Sequence, residues 1–121
     1  MNIETLREYC LSKPAASEAF PFDETTLVLK VGDKIFALTA LDSTVFSVNL
    51  KCDPEKAIEL RERYPAVIPG YHMSKKHWNT VIIDGSIPEK TIISWIDDSY
   101  NLVLASLPKK IRDVILKNET Q

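Results

Sequence analysis

Three consecutive segments between residues 25 and 51 have the pattern of strands, the first and third by alternating more and less apolar residues, and turns of two residues separate them. The segments read TTLVLKV, KIFALTAL and TVFSVNLK, and the turns are Gly32-Asp33 and Asp42-Ser43. Such alternation is the pattern of a strand, and two-residue connections join neighbouring antiparallel strands. KIFALTAL is apolar on both faces, which is typical of a central strand. The chain therefore contains a predicted three-stranded antiparallel meander.

Helical patterns lie on both sides of this meander. A first helix is predicted from about Asn2 to Lys13, because apolar residues recur at helical spacing behind the N-cap Asn2. The stretch PAASEAFPFDE that follows is predicted to be a loop. A second helix is predicted over about Pro54 to Arg63, because Asp53 is a good capping residue and proline is favoured in the first turn.

Further elements are predicted in the second half of the chain. One strand is expected at about Asn79 to Asp84, and a fifth strand would have to come from Ala66 to Met73. Ser86 and Glu89 form a capping-box pattern before a long third helix. Pro108 breaks or restarts that helix, and a short amphipathic helix follows.

The order of these elements predicts an α+β fold. The expected arrangement is α-β3-α-β2-α, a two-layer sandwich with an antiparallel sheet of about five strands covered by helices. A chain of 121 residues is long enough for one hydrophobic core but not for two, so residues 1–121 are predicted to form a single domain.

Composition excludes several classes of protein. Fifteen Lys and Arg stand against 17 Asp and Glu, so attraction of the whole surface to nucleic acid is not expected. The two cysteines, Cys10 and Cys52, form no CxxC pair, which predicts free thiols and a cytoplasmic protein. No apolar run approaches the roughly 20 residues that span a bilayer, so no membrane segment is predicted.

The densest chemistry lies in GYHMSKKHWNTV, residues 70–81. Lysines contact phosphates, an asparagine hydrogen-bonds to bases, and aromatic rings stack on them. The segment therefore suggests a local nucleic-acid grip. Its candidate contacts are Tyr71, His72, Lys75, Lys76, His77, Trp78 and Asn79, with Lys30 and Lys34 at the Gly32 hairpin as secondary candidates.

A structural interpretation of the same segment is equally concrete. Trp78 and Tyr71 would cover the end of the core, Asn79 would cap the strand entrance, and Lys75 and Lys76 would be solvated at a turn. The two interpretations differ in one measurable respect, since nucleic-acid contact predicts that Trp78 is partly accessible. The second tryptophan, Trp95, lies in an apolar helix and is predicted to be buried in either case.

Metal binding and catalysis are weaker interpretations. His72 and His77 could ligate a metal with Cys52 or Asp84, but a spacing of five with no nearby third ligand matches no common template. Ser74 or Cys52 could lie beside a histidine, yet no nucleophile motif surrounds either residue. No catalytic residue, metal or cofactor is therefore predicted, and the protein is expected to be non-enzymatic.

Four blocks of sequence together resemble the MmcQ/YjbR-like family of small bacterial proteins over nearly the whole chain. They are SEAFPFDE, KVGDKIFAL, NLKCDPE and PGYHMSKKHWNTV, and Ser74 departs from the family pattern, which often has Asn there. The resemblance implies a fold similar to frataxin-like (CyaY-like) and secretion-chaperone-like domains, and it implies DNA binding. The likeness to secretion chaperones implies an alternative, a protein-interaction module that uses the sheet edge or the Phe20–Phe22 loop.

Overall fold

A computed structural model describes residues 1–70 and 73–119 and shows an open antiparallel sheet with helices packed on it. The helices are α1 (Ile3–Leu11), α2 (Pro54–Arg63), α3 (Glu89–Ser106) and α4 (Lys109–Glu119). The strands are β1 (Ala16–Ala19), β2 (Thr26–Val31), β3 (Lys34–Ala40), β4 (Ser47–Lys51), β5 (Val67–Pro69) and β6 (Trp78–Ile82). They lie in the order β1-β2-β3-β4-β6-β5, and every neighbouring pair is antiparallel.

The predicted meander is confirmed as β2, β3 and β4, and the predicted α+β class is confirmed with it. The second helix has the predicted bounds, and the Asp53 side chain accepts a hydrogen bond from the Lys56 N–H at its first turn. The first helix begins behind Asn2, which forms a reciprocal capping box with Thr5. A fifth strand, β5, does come from the segment after Pro65.

Two predictions were wrong in detail. Within the described residues the sheet has six strands, because Ala16–Ala19 pairs with β2 instead of lying in a loop, so the five-stranded two-layer layout is not matched. The capping box at Ser86 does not form: α3 begins at Glu89 behind Pro88, with no side-chain cap. Instead the Ser86 N–H donates to the side chain of Asp84 at 3.0 Å, which closes a turn before the helix.

The two faces of the sheet have different surroundings. Helices α1, α2 and α3 share one hydrophobic cluster with alternate strand residues such as Leu29 and Leu50, and we call this side the helix face. Within this cluster, the rings of Tyr100 on α3 and Phe36 on β3 pack edge to face, with 5.3 Å between their centroids. The intervening strand residues point the other way, and we call that side the back face. No helix in residues 1–70 or 73–119 is long and apolar enough to cross a membrane.

The β2–β3 register shifts between Leu29 and Lys30, which leaves Phe36 of β3 without a partner residue on β2. A serine hydroxyl from α3 binds the backbone there. Ser99, which is fully buried, donates its Oγ hydrogen to the carbonyl of Phe36 at 2.6 Å. The same oxygen accepts the N–H of Lys51 at 2.9 Å. One side chain thus satisfies a backbone group on β3 and another on β4.

Candidate functional site

The SKKH segment, residues 74–77, precedes β6 and forms a tight turn held by its own backbone. The N–H groups of His77 and Trp78 both donate to the carbonyl of Ser74, at 3.1 and 2.9 Å. The turn is also attached to the end of β4, because the Cys52 N–H donates to the His77 carbonyl at 2.7 Å. The predicted contacts Tyr71 and His72 lie outside the described residues.

Asn79 is an internal link between β6 and α2. It lies opposite Leu50 on the helix face and is only 2% exposed. Its amide nitrogen donates to the Ala57 carbonyl at 3.3 Å, and its oxygen accepts from Arg61 Nε at 2.6 Å. The Arg61 guanidinium also donates to the carbonyl of Lys75, so it joins α2 to the turn. Both ends of the Asn79 amide are therefore occupied inside the fold.

Trp78 is buried, and the prediction that it is partly accessible was wrong. It is 7% exposed, much like Trp95 at 8%, whose predicted burial is confirmed. Trp78 lies opposite Lys51 on the back face, and its carbonyl accepts the N–H of Gly70 at 3.0 Å. A Cβ at Gly70 would lie 3.0 Å from the Trp78 Cβ, so a side chain at position 70 would be crowded. The indole is thus buried in the fold and not presented to solvent.

The lysines of the turn are exposed, and two more lysines come from neighbouring strands. Lys75 and Lys76 are both exposed. Lys30 alternates with the core residues of β2, and Lys51 alternates with those of β4, so both belong to the back face. Because β2 and β4 end where β6 begins, Lys30 and Lys51 lie at the same end of the sheet as the turn. We call the set Lys30, Lys51, Lys75 and Lys76 the lysine end.

The back face adds no acid beside this set, and the nearby acids Asp33 and Asp53 lie in the segments that follow β2 and β4. Among the strand residues that the structure describes, the back-face positions carry no Asp or Glu. Lys34 does not join the lysine end, because it lies opposite Val31 on the helix face and its Nζ is 3.3 Å from the Ser106 carbonyl. The sequence analysis did not identify Lys51 as a candidate. Because successive residues of a strand point to opposite faces, its position directly after the core residue Leu50 indicates the back face.

An open apolar groove of about 620 Å³ lies at the other end of the sheet, between α1 and the strands. Apolar side chains line it, and they are Ile3, Phe20, Leu27, Leu41 and Phe46. One wall is the ion pair of Arg7 with Glu18, in which Nε lies 2.5 Å from the carboxylate. Phe20 is 47% exposed at this groove, and Phe22 is 62% exposed near Leu38 on the back face.

Metal and thiol chemistry have little support in the described part of the chain. No group of three His, Cys, Asp or Glu residues within it could hold a metal ion. Burial raises the pKa of the Cys52 thiol, and it raises the pKa of Cys10 to about 12. Both thiols are therefore protonated near neutral pH, which makes them poor nucleophiles.

Comparison with known proteins identifies the family. The YjbR family model matches residues 11–102. YjbR of Escherichia coli K12 is 35% identical over 117 residues, which cover 97% of this chain and 99% of that protein. YbdF of Escherichia coli O157:H7 is 39% identical over 107 residues, which cover 88% of each chain.

Solved structures of similar proteins share the fold. A crystal structure of Deinococcus radiodurans DR2400 has a TM-score of 0.89 and 38% identity, covering 94% of this chain and 87% of that one. A crystal structure of a Pseudomonas syringae protein has a TM-score of 0.73 and 30% identity, covering 85% and 99%. The names of these relatives state no ligand or activity. The chain belongs to the YjbR family.

Proposed function

We propose that this protein binds nucleic acid weakly and without catalysis, through the lysine end. The observation that carries the proposal is the meeting of Lys30, Lys51, Lys75 and Lys76 at one end of a sheet face whose described strand positions carry no acid. Lysine ammonium groups bind phosphate as point charges and need no base contact. A cytoplasmic location, where nucleic acid is accessible, is part of this proposal.

The residues in and around the turn before β6 have two different roles in this proposal. Arg61, Asn79 and Trp78 hold the turn in place, since their polar groups and rings are used inside the fold. Lys75 and Lys76 are then presented to solvent on a fixed turn, which lowers the entropy lost when phosphate is bound. Such a surface recognises the backbone of nucleic acid more than its sequence.

The strength of binding follows from the number of lysines. Four cations neutralise about four phosphates at most, so the slope of log K against log salt is expected to be about −2 to −4. The dissociation constant is expected at about 10⁻⁴ to 10⁻⁶ M near physiological salt. A formal net charge of −2 gives no further long-range attraction.

The test is an anisotropy titration of labelled duplex and single-stranded DNA at two salt concentrations. Lys75→Ala with Lys76→Ala should weaken binding at least about tenfold at low salt and reduce the slope by about 2, because two counterion-releasing contacts are lost. The matched control is Lys90→Ala with Lys117→Ala, which removes the same charge from two exposed helix positions away from the lysine end.

Two outcomes would contradict the proposal. Equal losses in the two double variants would mean that bulk charge, and not the lysine end, attracts the DNA. No binding by the unmodified protein at low salt would exclude nucleic acid as its ligand. A thermal unfolding curve for each variant checks that the fold is retained, since exposed charges shift stability by about 0.5 kcal/mol or less.

A further inference from the structure

The groove at the opposite end of the sheet suits a partner of different chemistry from nucleic acid. Its walls are mainly apolar, and its charged groups are the Met1 ammonium, Glu4, Arg7 and Glu18. Arg7 pairs with Glu18, and the Met1 ammonium lies 3.9 Å from Glu89, so Glu4 is the charge of this lining that these two pairs leave uncompensated. An occupant that matches this lining is an apolar segment with cations beside it.

Helix α4 of the same chain carries such a segment on its surface. Ile111 is exposed and Val114 is 56% exposed, while Ile115 is buried against the core cluster. Residues three and four apart share one side of a helix, so Ile111 and Val114 form one apolar strip. Lys110, exposed and four residues before Val114, lies beside that strip. The strip is apolar and has a cation beside it, so it matches an apolar groove that carries the acid Glu4.

We propose that α4 of one copy of the protein docks its Ile111–Val114 strip in the groove of a second copy. The α4 of the same copy is not placed to do so, because it starts next to Leu107, which contacts Gly32 at the β2–β3 turn. The groove lies at the other end of β3, whose seven residues span roughly 23 Å. Ile115 also holds α4 on its own core. The contact is therefore head to tail, and it leaves a free groove and a free α4 at the two ends of a dimer.

The size of the contact sets its strength. An α4 of 11 residues is only about 16 Å long. It buries less than the roughly 800 Å² per partner of a stable protein interface. Self-association is therefore expected with a dissociation constant on the order of 10 to 100 µM. A preparation at low concentration should be monomeric.

Sedimentation equilibrium of the full chain between 5 and 500 µM tests the proposal. The weight-average mass should rise across this range for the unmodified protein. Leu41→Lys, which puts a cation on the groove rim, and Val114→Asp, which puts an acid on the strip, should each keep the mass of a monomer. Ile58→Lys is the control, because it changes an equally exposed apolar residue on α2 and should associate like the unmodified protein.

Mixing the two variants distinguishes this contact from any other. The Leu41→Lys copy retains an intact α4 and the Val114→Asp copy retains an intact groove, so the mass of the mixture should rise above that of a monomer. A constant monomer mass for the unmodified protein, or a mixture that stays monomeric, overturns the proposal. Association that is lost in Leu41→Lys but kept in Val114→Asp would assign the groove to another segment and also overturn it.

The inference does not rest on the proposed nucleic-acid binding. Lys75→Ala with Lys76→Ala should leave the sedimentation result unchanged, because these lysines neither line the groove nor belong to the Ile111–Val114 strip. Circular dichroism of every variant checks that a loss of association is not a loss of fold. Self-association and DNA binding can therefore succeed or fail separately.

Discussion

Replacing Asn79 with Ala separates the structural role of the motif from a role in binding. The side chain is 2% exposed and makes two hydrogen bonds, one of them with the charged group of Arg61. Hydrogen bonds to charged groups contribute about 1.5 to 3 kcal/mol, and the neutral bond to Ala57 adds about 1. We therefore expect the free energy of unfolding to fall by about 2 to 4 kcal/mol.

Urea unfolding followed by circular dichroism measures this change, provided that the slope with urea is unaltered. Asn101→Ala, an exposed position on α3, is the matched control and should change the free energy of unfolding by about 0.5 kcal/mol or less. DNA affinity, measured well below the unfolding temperature, should fall less than in the Lys75 and Lys76 double variant. A loss of stability under about 1 kcal/mol, together with a large loss of DNA binding, would refute this reasoning and make Asn79 a contact residue.

Three further predictions concern single residues elsewhere in the fold. Ser99→Ala leaves the Phe36 carbonyl and the Lys51 N–H without their partner, so urea unfolding should show a loss of about 2 to 4 kcal/mol; a loss under 1 would contradict the bridge. Ala15 has φ 59°, which costs an L-residue about 1 to 2 kcal/mol, so Ala15→Gly should raise the unfolding midpoint, and a lower midpoint would argue against strain there. Burial raises the pKa of Cys10 to about 12, above about 8.5 in the unfolded chain. The folded state therefore favours the protonated thiol, and stability is lost as pH rises from about 8.5 towards 12. Cys10→Ala should lose less stability than the unmodified protein between pH 8 and pH 10.5, and an equal loss would exclude this thiol as the cause.

The sequence predicted those elements whose signals are local. The meander and α2 were predictable because alternation, two-residue turns and the Asp53-Pro54 start are all read within a few residues. Strand β1 was not, since ASEA consists of poor strand formers and becomes a strand by pairing with β2, which lies about ten residues further along. The start of α3 was misplaced because Ser86 bonds backward to Asp84.

Among the described candidate residues, sequence reasoning anticipated the exposure of the turn lysines but not the burial of Trp78 and Asn79. Lys75 and Lys76 are exposed, as their position in a turn suggested. Trp78 and Asn79 have polar sequence neighbours, which favoured exposure, but their burial depends on partners that are distant in the chain. Arg61 lies 18 residues before Asn79, and nothing local indicates that the two side chains meet. Single-sequence patterns contain no information on such pairings.

The sheet order has a consequence for the rate of folding. Strands β4 and β6 are neighbours, yet α2 and β5 lie between them in the chain, and the bond from Thr80 to Asn49 joins residues 31 positions apart. Closing that loop costs more chain entropy than forming the local meander, so we expect this pairing to form late. Lys30 and Lys51 lie on strands of the meander, which we expect to form early. Lys75 and Lys76 take their positions only when β6 pairs with β4. The proposed phosphate-binding set should therefore be complete only after the last kinetic phase of refolding.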